Sequence, residues 1–253
     1  VPLWYSLVRS RATSMRMGDG WMVGAMVLCT LACGGPRDNA KGRDAVAGES
    51  TTAQGAAATE RTARPRILFL GTSLTAGLGV DPDSSYPSVI QRLANDARLG
   101  IDVINGGLSG ETSAGALRRA EWLLTQRVAV LVIETGANDG LRGLDPDTTA
   151  GNITALIARA RASQPGAAIV LLQMEAPPNL GPAYTRRFRA LYAQVARAAG
   201  VRLLPFLLDG VGGKPEFNQD DGIHPNPEGA RRVAANVFKG LRPVLDSLES
   251  RRE

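Results

Sequence analysis

The chain has 253 residues, of which 44% are hydrophobic and 21% charged, close to the average for soluble globular proteins and sufficient for a sizeable core. The formal net charge of +5 is unevenly spread: residues 1–65 hold eight Lys/Arg against five Asp/Glu, leaving 21 against 19 in the remainder. With neither a basic stripe nor interleaved aromatics in that remainder, the composition argues against a nucleic-acid partner.

The first segment reads as a targeting signal. Arg9, Arg11 and Arg16 precede a mainly apolar run over 21–32, the length of a signal-peptide core and too short to span a bilayer. Small residues follow, and Cys33 after Leu31-Ala32 resembles a lipoprotein cleavage site, with Thr30 where Leu is usual. Two outcomes are expected from this pattern: membrane anchoring through a lipidated Cys33, or ordinary cleavage near Ala32 and soluble export. Cys29 and Cys33 are the only cysteines, so the mature domain has no disulfide to form. Residues 34–65, rich in Gly, Ala, Thr and charge without apolar periodicity, read as a flexible linker. The expected organisation is a signal segment at 1–33, a linker at 34–65, one catalytic domain at 66–248 and a short tail at 249–253.

From residue 66 short apolar runs alternate with amphipathic stretches of helical length, which is the pattern of a parallel sheet covered by helices. Strands are expected at 67–70, 101–105, 128–133, 168–173 and 202–205, and helices at about 84–98, 112–125, 148–163, 183–199 and 227–247. Right-handed connections then give a single flavodoxin-like, three-layer α/β/α domain. Its five-stranded parallel sheet takes the order 2-1-3-4-5, with a crevice at the carboxyl ends of strands 1 and 3.

The motifs gather at that edge. Strand 1 runs into Gly71-Thr72-Ser73-Leu74-Thr75-Ala76-Gly77, which sets Ser73 on the turn at the crevice, although a Gly-x-Ser turn also serves as an ordinary cap. No phosphate-loop spacing is present. Strand 2 leads into the Gly-rich stretch 105–112, whose free backbone N–H groups face any nearby anion or make a plain turn. Strand 3 ends in Gly136-Ala137-Asn138-Asp139-Gly140, where the Asn138 amide can donate to a developing oxyanion or simply close a turn. The chain's one histidine, His224, lies in Asp220-Asp221-Gly222-Ile223-His224-Pro225-Asn226-Pro227, ahead of a helix that Asn226 would cap and Pro227 would begin. Asp221, three residues earlier, could orient the ring or act only as a cap. A lone histidine among scattered carboxylates does not form a metal site. The stretch 175–182, Pro-rich and following strand 4, is either a substrate-facing loop or a plain connection.

Taken together, Gly71-Thr72-Ser73-Leu74, Gly110, Gly136-Ala137-Asn138-Asp139 and Asp221-Gly222-Ile223-His224-Pro225 resemble the four blocks of the SGNH (GDSL-type) hydrolase superfamily. Asn138 to Gly143, Leu203-Leu204-Pro205-Phe206 and Gln219 to Asn226 narrow the likeness to its bacterial thioesterase, lysophospholipase and arylesterase branch, over about residues 66–247. The resemblance implies Ser73 as nucleophile, His224 as base and Asp221 as its partner. It further implies an oxyanion hole of the Ser73 and Gly110 backbone N–H groups and the Asn138 side chain. It implies hydrolysis of small-molecule esters and thioesters with short to long acyl chains (arylesters, acyl-CoA, lysophospholipid-like substrates) in the bacterial periplasm without metal or organic cofactor. Thr72 stands where the resemblance implies Asp. Two competing readings are a carbohydrate O-acetylesterase with the same catalytic groups and a non-catalytic surface lipoprotein that keeps the fold.

Overall fold

A computed structural model describes residues 64–250. The expected signal segment, Cys33, nearly all of the expected linker and the last three residues lie outside the described residues.

Five strands form one sheet: β1 (Arg66–Gly71), β2 (Asp102–Gly107), β3 (Val130–Ile133), β4 (Ala168–Gln173) and β5 (Arg202–Phe206), all parallel and in the order β2-β1-β3-β4-β5. Ile67 to Leu70 and the whole of β3 are buried, as expected of central strands covered on both faces. The expected strand order is therefore found. Differences lie at the ends: β2 runs two residues further than its apolar run, into Gly106 and Gly107.

The long helices are α2 (Tyr86–Asp96), α3 (Ser113–Leu123), α5 (Pro146–Ser163), α6 (Pro182–Ala199) and α7 (Pro227–Glu249). Two short ones, α1 (Ser73–Ala76) and α4 (Ala137–Leu141), occupy stretches that the sequence presents as turns. α2 packs on α7, while α3 packs on α5 and α5 on α6, giving one helical group for each face of the sheet. Fully buried Phe69, Leu131, Ile153, Leu156, Phe188 and Tyr192 fill the space between sheet and helices. Pro begins α5, α6 and α7 and is the second residue of α2, where its missing N–H leaves no internal bond unmade. At α7 the Asn226 carbonyl Oδ1 accepts from the Glu228 and Gly229 N–H groups, as the sequence anticipates.

This topology collects the segments after β1, β2 and β3 at one edge. The Leu108 N–H donates to the Gly71 carbonyl at 2.8 Å, joining the exits of β1 and β2. A Cβ on Gly107 would lie 2.2 Å from the Ala76 backbone nitrogen, so only glycine lets β2 end against α1.

Candidate active site

Ser73 is the first residue of α1, directly after β1, and is largely buried. His224 arrives from the opposite end of the chain on a hairpin-like loop. Asn218 and Pro225 form an antiparallel bridge, and the Gln219 N–H donates to the His224 carbonyl at 2.8 Å. Gly222, at φ +69, makes the reversal between Asp221 and His224 possible.

The loop delivers His224 Nε2 to 2.8 Å from Ser73 Oγ and His224 Nδ1 to 2.6 Å from Asp221 Oδ2. An ionised carboxylate only accepts, so Nδ1 carries the ring proton. In the neutral ring Nε2 is then the acceptor, and the serine hydroxyl donates to it. Asp221 Oδ1 is held in turn by the backbone N–H groups of Ile223 and His224, both at 2.9 Å. Partial burial pushes the Asp221 pKa upward, but hydrogen bonds from the His224 backbone, the His224 ring and the Ile223 N–H outweigh it and leave it below its ordinary value. The aspartate therefore stays charged beside the imidazole that it holds. The His224 side chain is 17% exposed and that of Asp221 46%, so the chain of groups runs from the protein interior to solvent.

The two other expected donors come from neighbouring loops. Gly110, at φ +77, lies on the exit of β2, and a Cβ there would meet nothing within 4 Å. Asn138 lies in the first turn of α4, and its Nδ2 donates to the Glu111 carbonyl at 2.9 Å, leaving its second N–H for another acceptor. Arg142 Nη2 also donates to the Gly110 carbonyl at 3.0 Å, so α4 holds the 110–111 segment at two points. Among the described residues, no backbone carbonyl of a turn or loop is paired with the N–H of Ser73 or Gly110. Of the five residues singled out from the sequence, Ser73, His224 and Asp221 form one run of hydrogen bonds, while Gly110 lies on the loop after β2 and Asn138 in α4.

Behind these groups lies support that the sequence did not reveal. Glu111 is buried and takes a bidentate grip from Arg119, Nε to Oε1 at 2.8 Å and Nη2 to Oε2 at 2.6 Å. The same guanidinium donates to the carbonyls of Gly106 and Gly71, fastening the ends of β2 and β1. Buried Asp139, next to Asn138, accepts from the Ser113 N–H at 2.8 Å and the Ser113 hydroxyl at 2.5 Å. Charged residues after strands at the carboxyl edge of the sheet were the available signal; Arg119 lies only eight residues from Glu111, whereas Ser113 lies 26 from Asp139.

A small pocket adjoins Ser73 and His224, with Leu74, Leu78, Val80, Leu207, Leu208 and Val233 in its wall. Leu108 and Leu144 on the other loops and Leu141 at the end of α4 are exposed, at 49%, 39% and 42%. Leu180, in a 3₁₀ turn of the 175–182 stretch, lies 3.6 Å from where a Gly143 Cβ would stand, which sets that stretch against residues 141–144. Among the described residues no group of three or more His, Cys, Asp and Glu side chains could hold a metal ion.

Residues 69–232 match the GDSL-like Lipase/Acylhydrolase family. The chain is 39% identical over 188 residues to Esterase TesA of Pseudomonas aeruginosa, an alignment spanning 74% of this chain and 92% of that protein. To Thioesterase 1/protease 1/lysophospholipase L1 of Escherichia coli strain K12 it is 35% identical over 182 residues, spanning 71% and 85%. Its fold is similar to that of psychrotrophic esterase EstA from Pseudoalteromonas sp., solved inhibited by monoethylphosphonate. The TM-score there is 0.68, the identity 32%, and the coverage 72% of this chain and 98% of that one.

Proposed function

The chain belongs to the GDSL-like lipase/acylhydrolase family and is a serine ester hydrolase, and from that premise we propose that Ser73, His224 and Asp221 cleave acyl esters and thioesters through an acyl-enzyme. The observation that carries the assignment is the unbroken run of hydrogen bonds from Ser73 Oγ through the His224 ring to Asp221.

In the first half-reaction His224 Nε2 takes the hydroxyl proton as Ser73 Oγ attacks the acyl carbonyl carbon. The oxygen of that carbonyl becomes an oxyanion held by the Ser73 and Gly110 N–H groups and the free N–H of Asn138. Collapse expels the alcohol or thiol, which takes the proton from His224. Water then enters, gives a proton to His224 and attacks the ester on Ser73; a second tetrahedral species breaks down to the free acid and the regenerated hydroxyl.

Arylesters, acyl-CoA and lysophospholipid-like molecules are the proposed substrate classes. Support comes from the names of the similar proteins and from exposed Leu108 and Leu144 on the loops, with Leu141 at the end of α4, beside Gly110 and Asn138, where an acyl chain would meet apolar surface. An acetyl group on a saccharide would make no use of these leucines.

Hydrolysis of p-nitrophenyl esters from acetyl to decanoyl and of matching acyl-CoAs, by the wild type and Ser73→Ala, tests reaction and substrate together. Turnover lost in Ser73→Ala and rising with chain length is expected. Retained turnover in that variant would remove Ser73 as nucleophile, and faster cleavage of acetylated saccharides would remove the acyl-chain assignment.

Export completes the proposal: residues 1–33 direct the protein to the periplasm, with Cys33 as the lipid-bearing first residue of the mature chain and residues 34–65 as a tether. Intact-mass analysis of the N-terminus from native membranes would show a diacylglyceryl cysteine. A soluble chain beginning at Cys33 without lipid would replace anchoring by simple secretion.

A further inference from the structure

Glu134, immediately after β3, is fully buried and takes no part in the steps above. Both of its carboxylate oxygens face the turn that carries Ser73. Oε2 accepts the Thr72 N–H at 2.7 Å and the Thr75 hydroxyl at 2.9 Å, and the Thr72 hydroxyl is 3.0 Å from each oxygen. With its own proton given to Glu134, the Thr75 hydroxyl is left to accept from the Tyr86 phenol 2.8 Å away. Gly71 makes the arrangement possible, since a Cβ there would lie 2.0 Å from Thr75 Oγ1 and 2.7 Å from Glu134 Oε2.

The turn needs this support. α1 is four residues long, too short to be stable on its own hydrogen bonds, and the Thr72 side chain makes no capping bond to it. The Thr72 hydroxyl, which at such a position normally caps the helix, is turned back to Glu134 instead. Ser73 therefore sits between two threonines pinned from behind to one carboxylate. An apolar residue at position 134 would leave the Thr72 N–H and the Thr72 hydroxyl unpaired in a dry site, and the Thr75 hydroxyl with Tyr86 alone. The threonine at position 72 also has a reason here. It supplies a donor, where a carboxyl would stand against Glu134 and the two would have to share a proton.

We propose that Glu134 is a positioning residue for the nucleophile: by clamping Thr72 and Thr75 on either side of Ser73, it fixes the aim of Ser73 Oγ at His224 and of the Ser73 N–H at the oxyanion. The proposal rests on the reading of Ser73 as nucleophile. Its effect falls on the chemical step, because displacements of about 1 Å at a reacting group cost on the order of 100-fold in rate while contacts to the rest of the substrate are untouched.

The test compares the wild type with Glu134→Gln, Thr72→Val, Thr72→Ser and Ser73→Ala. It measures kcat and KM on p-nitrophenyl butyrate, the rate of labelling by a fluorophosphonate probe, and thermal unfolding. Glu134→Gln keeps the volume but turns an NH2 towards groups that donate. Its kcat and labelling rate are expected to fall about 10- to 100-fold with KM within about threefold. Thr72→Val should lose about 10-fold in kcat and Thr72→Ser should recover most of it, because serine restores the hydroxyl that Glu134 accepts from. A folded Glu134→Gln with wild-type kcat overturns the proposal. If that variant does not fold, equal kcat losses in Thr72→Val and Thr72→Ser, or no loss in either, overturn it. Ser73→Ala separates the two readings: if it keeps turnover, the nucleophile assignment fails. If it is inactive while Glu134→Gln matches the wild type, only the positioning role fails.

Discussion

Gln219 Nε2 donates to the Leu78 carbonyl at 2.7 Å and to the Pro225 carbonyl at 3.0 Å, so one side chain ties the exit of the Ser73 turn to the residue after His224. The Gln219 backbone N–H holds the His224 carbonyl as well. The side-chain bonds bridge segments 141 residues apart, and they bear on the 2.8 Å contact between Ser73 Oγ and His224 Nε2.

Replacing Gln219 by Ala removes both side-chain bonds while leaving the triad side chains intact. The expected loss is about 10-fold in kcat with KM little changed. Two partly exposed hydrogen bonds at about 1 kcal/mol each imply a fall in Tm of a few degrees. Steady-state kinetics on a p-nitrophenyl ester and a thermal scan measure the two effects. Unchanged kcat would mean that the bridge at Asn218 and Pro225 positions His224 by itself.

What could be read from the sequence followed from range. The sheet was legible because each central strand is a continuous apolar run, and the right-handed crossover rule then left few orders. Asp221 and His224 were legible because they are three residues apart on one loop. The meeting of Ser73 with His224, 151 residues on, followed only through the topology. α1 and α4 were not legible, since four or five residues are too few to show a helical period. Nor was the extension of β2 into Gly106 and Gly107, because glycine is a poor strand former. What selects it is close packing, seen in the Gly107 contact with the Ala76 backbone. Glu134 ends an apolar run and pairs with residues about 60 positions earlier; nothing local distinguishes it from a charge that ends a strand.

Asn138→Ala tests the proposed oxyanion donor. Loss of one such donor typically slows turnover 100- to 1000-fold, about 3 to 4 kcal/mol of transition-state stabilisation. Because Asn138 also donates to the Glu111 carbonyl, a small loss of stability is expected alongside. Asn138→Asp is the sharper variant. It keeps the size but sets a charged acceptor where the oxyanion forms, and kcat should fall at least as far as in the alanine variant. Near wild-type turnover in both would move the oxyanion contact elsewhere.

Asp221→Asn keeps the shape of the loop but exchanges an obligate acceptor for an amide. His224 then no longer needs to keep its proton on Nδ1, and the fraction of rings with Nε2 free to accept from Ser73 falls. A decrease in kcat of about 1000-fold or more is expected, with KM nearly constant. The lowered pKa of Asp221 sets the sign of a pH effect. Its stabilising contribution is present above the ordinary carboxylate pKa and is lost only as pH falls through the lower folded-state value. Measured in a His224→Ala background, where no imidazole titrates, the difference in unfolding free energy between Asp221 and Asp221→Asn should therefore be flat between pH 5 and 8. A clear slope in urea titrations over that range would contradict it.

Glu134 gives the opposite sign. Desolvation by burial raises its pKa from 4.5 to about 7, against the lowering effect of the Thr72 and Thr75 donors. Below pH 4.5 the group is protonated in both states and costs nothing extra. Between 4.5 and 7 the unfolded chain releases the proton while the folded protein keeps it, so stability falls as pH rises, and above 7 the loss is complete. A shift of this size corresponds to about 3 kcal/mol. Glu134→Gln has no proton to release. The unfolding free energy of the wild type minus that of Glu134→Gln should fall by up to this amount from pH 5 to pH 7 and stay level to pH 8.5. Urea titrations of both proteins at half-unit steps measure it. A difference that stays level from pH 5 to pH 8.5 would mean that the threonine donors overcome burial and hold the carboxylate ionised throughout.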